Sequence, residues 1–213
     1  MKINYLYIIG LGGIFACSSP KPTQETLPFF GEPTILTRVE NGESFYDTIW
    51  PVLPPFQMVN QAGDTITEQE GLGKVQVADF FFTTCPTICP VMTKQLARVH
   101  EAFRQQAKVV IFSYTIDPEH DTLEVLSDYA QRVDAQLPGW QFLRGDMDET
   151  FSLADAHGSF AREDIASPGG FEHSGALVLI DGKRRVRGLY NGVDGKEVDQ
   201  LIADIERLLA EHE

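Results

Sequence analysis

Two cysteines stand three residues apart in the segment Asp79-Phe80-Phe81-Phe82-Thr83-Thr84-Cys85-Pro86-Thr87-Ile88-Cys89-Pro90. A residue that precedes proline is biased away from the helical conformation, and proline is favoured as a first helical residue. A helix is therefore expected to begin at Pro90, with Cys89 as its cap and Cys85 in the loop above. A thiolate at such an end meets unsatisfied backbone N–H groups and the positive end of the helix dipole, so its pKa is expected to fall. Sulfurs at this spacing can close a disulfide or share a soft metal ion. Small buried cysteines are common in cores, but two prolines and a chain reversal argue for a rim. A closed structural zinc site needs four ligands, and the chain has three cysteines in all, one of them near the N-terminus.

A further donor has to come from elsewhere in the chain, which has five histidines. His100 lies beside the apolar stripe of a helix, His120 follows Asp117-Pro118-Glu119 in a turn, His157 ends a helix where a cation suits the dipole, and His212 lies in the tail. These four read as surface or capping residues. His173 sits in Ser167-Pro168-Gly169-Gly170-Phe171-Glu172-His173-Ser174-Gly175, a glycine-rich loop leading into a hairpin. If that hairpin lies beside the strand carrying the cysteines, the imidazole reaches both sulfurs.

The elements that must do this positioning follow from periodicity. Residues 74–82 form a nearly continuous apolar run, the pattern of a strand buried on both faces of a parallel sheet. Met92, Leu96, Val99 and Phe103 make one helical stripe, and residues 108–114 a second buried strand. Leu123, Leu126, Ala130 and Val133 mark another helix, with Asp121 as expected N-cap and Glu124 three places on. A short strand at 140–143 and a short helix at 150–156 follow. The clearest hairpin is 176–190 around Asp181-Gly182, and a C-terminal helix capped by Asp194 closes the chain. Upstream, residues 56–67 read as a small hairpin, while 39–53 is weakly patterned and compatible with a short strand or hairpin. The order β-α-β-α-β-α-β-β-α means an α/β domain: parallel strands joined by helices, then an antiparallel hairpin at the sheet edge.

The chain has 213 residues, 17 Lys and Arg against 31 Asp and Glu, and a net charge of −14. An acidic surface repels phosphate backbones, so no nucleic-acid partner is expected. Residues 3–16 are apolar but for Asn4, shorter than the ~20 residues that cross a bilayer, and match the core of a secretory signal. The stretch ends Ile14-Phe15-Ala16-Cys17, which resembles a bacterial lipobox. That resemblance implies cleavage after Ala16 and a lipid on Cys17. Expected boundaries are thus a signal at 1–16, a lipidated flexible tether at 17–44 and a single domain at 45–213, working outside the cytoplasm at a membrane surface.

Thr84-Cys85-Pro86-Thr87-Ile88-Cys89-Pro90, then Thr115-Ile116-Asp117-Pro118-Glu119-His120-Asp121-Thr122, then His173-Ser174 resemble, in that order, the SCO/SenC family of thioredoxin-like copper proteins. The resemblance implies a thioredoxin-like fold, with a central mixed sheet flanked by helices and an edge β-hairpin. It implies Cys85, Cys89 and His173 as copper ligands, and delivery of copper to the CuA centre of cytochrome c oxidase subunit II. Two thiolates and an imidazole suit Cu(I), with Cu(II) accessible when a fourth donor joins. Binding needs both thiols reduced, so a Cys85–Cys89 disulfide would switch the site off and require an extracytoplasmic thiol reductant. Asp117 and Asp121 read first as turn and cap residues, and alternatively as supports behind the site. The competing function is a thiol-disulfide reductase or peroxidase using Cys85 and Cys89; a third is a partner-binding lipoprotein with a vestigial site.

Overall fold

A computed structural model describes residues 26–211. The strands are β1 (Thr34–Glu40), β2 (Glu43–Ile49), β3 (Gln57–Asn60), β4 (Thr65–Thr67), β5 (Val75–Phe81), β6 (Val109–Thr115), β7 (Trp140–Arg144), β8 (Ala161–Glu163), β9 (Phe171–His173), β10 (Ala176–Ile180) and β11 (Val186–Asn191). The helices are α1 (Cys89–Phe103), α2 (Leu123–Arg132), α3 (Met147–Ala156) and α4 (Gly195–Glu211). None of the described helices is long and apolar enough to cross a membrane.

Seven strands form one mixed sheet in the order β11-β10-β5-β6-β7-β3-β4. β5, β6 and β7 run parallel, while β10 and β3 add antiparallel on either side. Every residue of β5 and β6 is buried, as the nearly continuous apolar runs suggest, the polar Gln76, Asp79, Ser113 and Thr115 included. α1 turns Met92, Leu96 and Val99 inward, and α4 turns Val198, Leu201, Ile205 and Leu208 inward. The two helices pack on each other, and α4 also covers β5 and β11. Phe80, Phe81, Phe82, Phe112, Trp140 and Phe142 fill the centre; burial of one such side chain contributes about 1.5–3 kcal/mol. This is the thioredoxin-like α/β architecture expected, and β10–β11 is the edge hairpin, directly beside β5.

Three expectations are corrected. First, part of the segment read as flexible tether is structured: residues 34–44 belong to the antiparallel β1–β2 hairpin, which runs on to Ile49 and is exposed on both faces. Leu27 is buried, its N–H donating to Glu211 Oε1 at 2.8 Å, and the Arg187 guanidinium donates to the carbonyls of Leu27 and Pro28 at 2.7 and 3.0 Å. Arg187 is 2% exposed at its side chain and also pairs with Asp181 and Glu211. A lone charge in that position would be costly, so the strap satisfies it. Phe30 and Leu53 bond β11 and the turn before it, at the end of the sheet where β5 begins; the cysteines follow the other end. Second, Thr122 caps α2, its hydroxyl accepting from Val125 N–H, and Asp121 is withdrawn into the core. Third, the stretch before β10 is not merely a loop, because β8 and β9 pair as a separate two-stranded ribbon. The signal segment 1–16, Cys17 and His212 lie outside the described residues.

Candidate metal centre

β5 delivers the chain to Phe82, and the Cys85 N–H donates back to the Phe82 carbonyl at 3.2 Å, closing a turn. α1 then starts one residue earlier than the prolines suggest. Ile88 is the N-cap, in helical conformation and without a side-chain cap bond; Cys89 is the first helical residue and Pro90 the second. Proline's missing N–H is tolerated throughout the first turn, where no donor has an intrahelical partner. The pre-proline bias of Cys89 is overridden by the packing of α1, whose Cys89 and Met92 face the core.

His173 is the last residue of β9, and its ring packs edge-on against Phe82, centroids 5.7 Å apart. The glycines before it have a steric purpose. Gly169 has φ +84°, and a Cβ there would stand 2.6 Å from Phe82 Cε2. The loop can wrap the Phe82 ring only because that atom is missing. Ser174 fixes the imidazole, its carbonyl accepting from His173 Nδ1 at 3.2 Å, which leaves Nε2 presented to the sulfurs. Nε2 lies 3.4 Å from Cys89 Sγ and 3.8 Å from Cys85 Sγ, and all three donor atoms fall within 4.8 Å of one another. Ligand-to-metal bonds of about 2.0–2.3 Å fit inside a triangle of that size. Both cysteines are free thiols.

The rim expected from the prolines is not where the cysteines sit. They are 6% and 2% exposed, with the His173 ring of β9 set against both sulfurs. Their acidities diverge accordingly. Burial works to raise Cys85, but hydrogen bonds from His173, the Cys89 backbone and Thr87 outweigh it and hold the thiol down at about 6. Burial pushes Cys89 far up, and the neighbouring Cys85 charge adds to it. The residue at the helix terminus is thus the less acidic one, because desolvation exceeds the dipole's effect.

The carboxylates of Asp117 and Asp121 make no hydrogen bond to Cys85, Cys89 or His173 among the described residues. Asp121 instead braces the loop. It is buried and accepts from the Thr83 N–H at 3.1 Å and from the hydroxyls of Thr83 and Thr115. Asp117 shapes the turn, its carboxylate accepting from His120 N–H and its carbonyl from Asp121 N–H. Thr83, Phe82 and Ser174 are positioning residues to which sequence alone assigns no role, although Ser174 stands in the His173-Ser174 element; for Thr83 the available signal is a hydroxyl two places before the first cysteine. Two histidines read as surface residues are buried. His100 accepts from Gln136 N–H and packs on Trp140. His157, buried, is pushed down to about 4, so it is neutral rather than a cation at the helix end. His120 is exposed, as expected.

Fold and site together define a thioredoxin-like protein that brings two thiols and an imidazole to one point. The chain belongs to the SCO1/SenC family, whose profile matches residues 50–210. It is similar to the crystal structure of a SCO1/SenC family lipoprotein from Bacillus anthracis, at 29% identity and TM-score 0.68, covering 75% of this chain and 95% of that one. It is also similar to BsSco, described as carrying a disulfide switch and as a member of the Sco family of cytochrome c oxidase assembly proteins (28% identity, TM-score 0.65, 74% and 92% coverage). Bradyrhizobium japonicum ScoI, solved with copper bound, matches at 25% identity and TM-score 0.63 over 74% of this chain and 99% of its own.

Proposed function

We propose that the chain is an extracytoplasmic, membrane-anchored copper metallochaperone that holds copper between Cys85, Cys89 and His173. The observation that carries this reading is the convergence of two sulfurs and Nε2 within 4.8 Å. Two thiolates and an imidazole are a soft, low-coordinate set that favours Cu(I), and a fourth donor admits Cu(II). Copper-bound ScoI supports the choice of metal. Few ligands let the ion leave by ligand exchange, whereas a closed four-ligand cage would retain it. Delivery to the CuA site of cytochrome c oxidase subunit II is the target implied by the resemblance, and the assembly role named for BsSco supports it. Oxidation to a Cys85–Cys89 disulfide removes both thiolate donors, so an external thiol reductant has to reopen the site. A lipid on Cys17 anchors the chain to the membrane at the cell envelope, a reading supported by the lipoprotein relative.

Anaerobic Cu(I) titration of the reduced chain tests this. One copper per chain is expected, lost in Cys85→Ala, Cys89→Ala and His173→Ala; full-affinity binding by His173→Ala would remove that residue from the site. The acidic Cys85 thiol favours a second reading, thiol-disulfide exchange with Cys85 as nucleophile and Cys89 resolving. Rapid catalytic reduction of insulin or peroxide by the metal-free protein would select it.

A further inference from the structure

A groove of about 530 Å³ runs outward from the two largely buried cysteines, between α1 and the end of α2. Cys85 and Cys89 line its inner end, and His173 is not among its lining residues. The groove therefore reaches the thiols without passing the imidazole. Pro90, Ala97, Tyr129 and Val133 give it a largely apolar floor, and the Tyr129 hydroxyl is hydrogen-bonded to Thr93 at 2.8 Å.

Its charge is opposite to that of the molecule. In a chain of net charge −14, the groove carries Lys94 on α1 and Arg132 on α2, both exposed. Neither forms an ion pair with a carboxylate among the described residues; Arg132 only lies over the Tyr129 ring, 5.3 Å from its centroid. The single carboxylate lining the groove, Asp134, is already engaged by Arg104 at 2.7 Å. Two unpaired cations thus flank an apolar channel that ends at both thiols.

We propose that this groove is the docking site of an extended, acidic, cysteine-bearing segment of the copper acceptor. Its carboxylates lie against Lys94 and Arg132 while its thiol enters beside Cys85 and Cys89. The inference rests on the copper reading above and adds the path and the partner's chemistry. Transfer through the groove is ligand exchange. A bond forms between copper and the incoming sulfur, a bond to one protein cysteine breaks, the incoming thiol's proton passes to the departing sulfur, and copper keeps its oxidation state.

The test uses the full chain and three synthetic peptides, each with two cysteines three residues apart flanked by pairs of Glu, Gln or Lys. From the Cu(I)-loaded protein at low ionic strength, transfer to the Glu peptide should be about 3- to 10-fold faster than to the Gln peptide, and slowest to the Lys peptide, with the order collapsing as salt is added. The double variant Lys94→Glu/Arg132→Glu should bind copper at unchanged stoichiometry and reverse the order. A copper-free arm follows mixed-disulfide formation with single-cysteine peptides activated as aryl disulfides, in which a protein thiolate attacks the peptide sulfur and the aryl thiolate leaves. The same order and the same reversal are expected there. If the chain fails to load copper, the chaperone reading falls and the copper-free arm still decides the groove. If the peptide order is absent, or is unchanged in the double variant, the groove is not the docking site.

Discussion

Asp79 lies in the middle of β5, buried, four residues before Thr83 on the strand that leads to the cysteines. Among the described residues its side chain accepts one hydrogen bond, from the Ser113 hydroxyl, which in turn accepts from the Trp140 indole N–H at 2.9 Å. Burial pushes its carboxyl up to about 7, against the Ser113 bond that works to lower it. The folded state thus holds this proton far more tightly than the unfolded chain does. Between the unfolded value of 3.8 and about 7, folding takes up a proton, so this group's contribution to stability falls as pH rises and levels off above about 7. At 1.36 kcal/mol per pH unit, the whole window amounts to ~4 kcal/mol, and the accessible part from pH 5 to 7 to about 2–3 kcal/mol. Asp79→Asn keeps an oxygen for Ser113 and cannot titrate. Urea denaturation of both reduced, copper-free proteins at a series of pH values gives the difference in unfolding free energy. In that difference the titrations of His157 and the other shared groups cancel. The wild type should lose about 2–3 kcal/mol relative to the variant between pH 5 and 7.5, with a flat difference above. A difference constant to within about 0.5 kcal/mol across that range would refute the reasoning.

Gly169→Ala forces a Cβ against the Phe82 ring and penalises a left-handed backbone; displacement of the β9 ribbon should weaken Cu(I) affinity about tenfold or more, read by competition with a chromophoric chelator, while the thermal midpoint falls only modestly. Arg187→Met breaks the strap's bonds to Leu27 and Pro28 and its pairing with Asp181 and Glu211. The loss should be about 3 kcal/mol by chemical denaturation, with new proteolytic cleavage near residue 30, and copper stoichiometry should stay unchanged because the strap meets the other end of the sheet.

What was legible in the sequence is what local patterning controls. The nearly continuous apolar runs of β5 and β6, the stripe on α1 and the Asp181-Gly182 hairpin all depend on near neighbours, and they place both cysteines at a strand-to-helix junction beside the edge hairpin. The features that were not legible depend on partners distant in sequence. Asp121 looks like a cap until Thr83, 38 positions away, claims its carboxylate. His157 ends a helix as a dipole-pairing cation would, yet Phe80 and Tyr114 pack around it and keep it neutral. β8 and β9 have three residues each, too short to show alternation, and β9 follows directly on two glycines. The strap at Leu27 depends on Arg187, 160 residues later.

The three donors differ in what holds them. Cys89 is the first residue of α1, and Cys85 is buried in the turn that joins β5 to it, its N–H bonded back to the Phe82 carbonyl. The imidazole hangs from a ribbon of three residue pairs, Ala161 with His173, Arg162 with Glu172 and Glu163 with Phe171. Fraying such a ribbon costs a small part of the free energy of global unfolding. In the proposed copper site the nitrogen is thus the arm held by the fewest backbone pairs, and the sulfurs are the jaw set against the core.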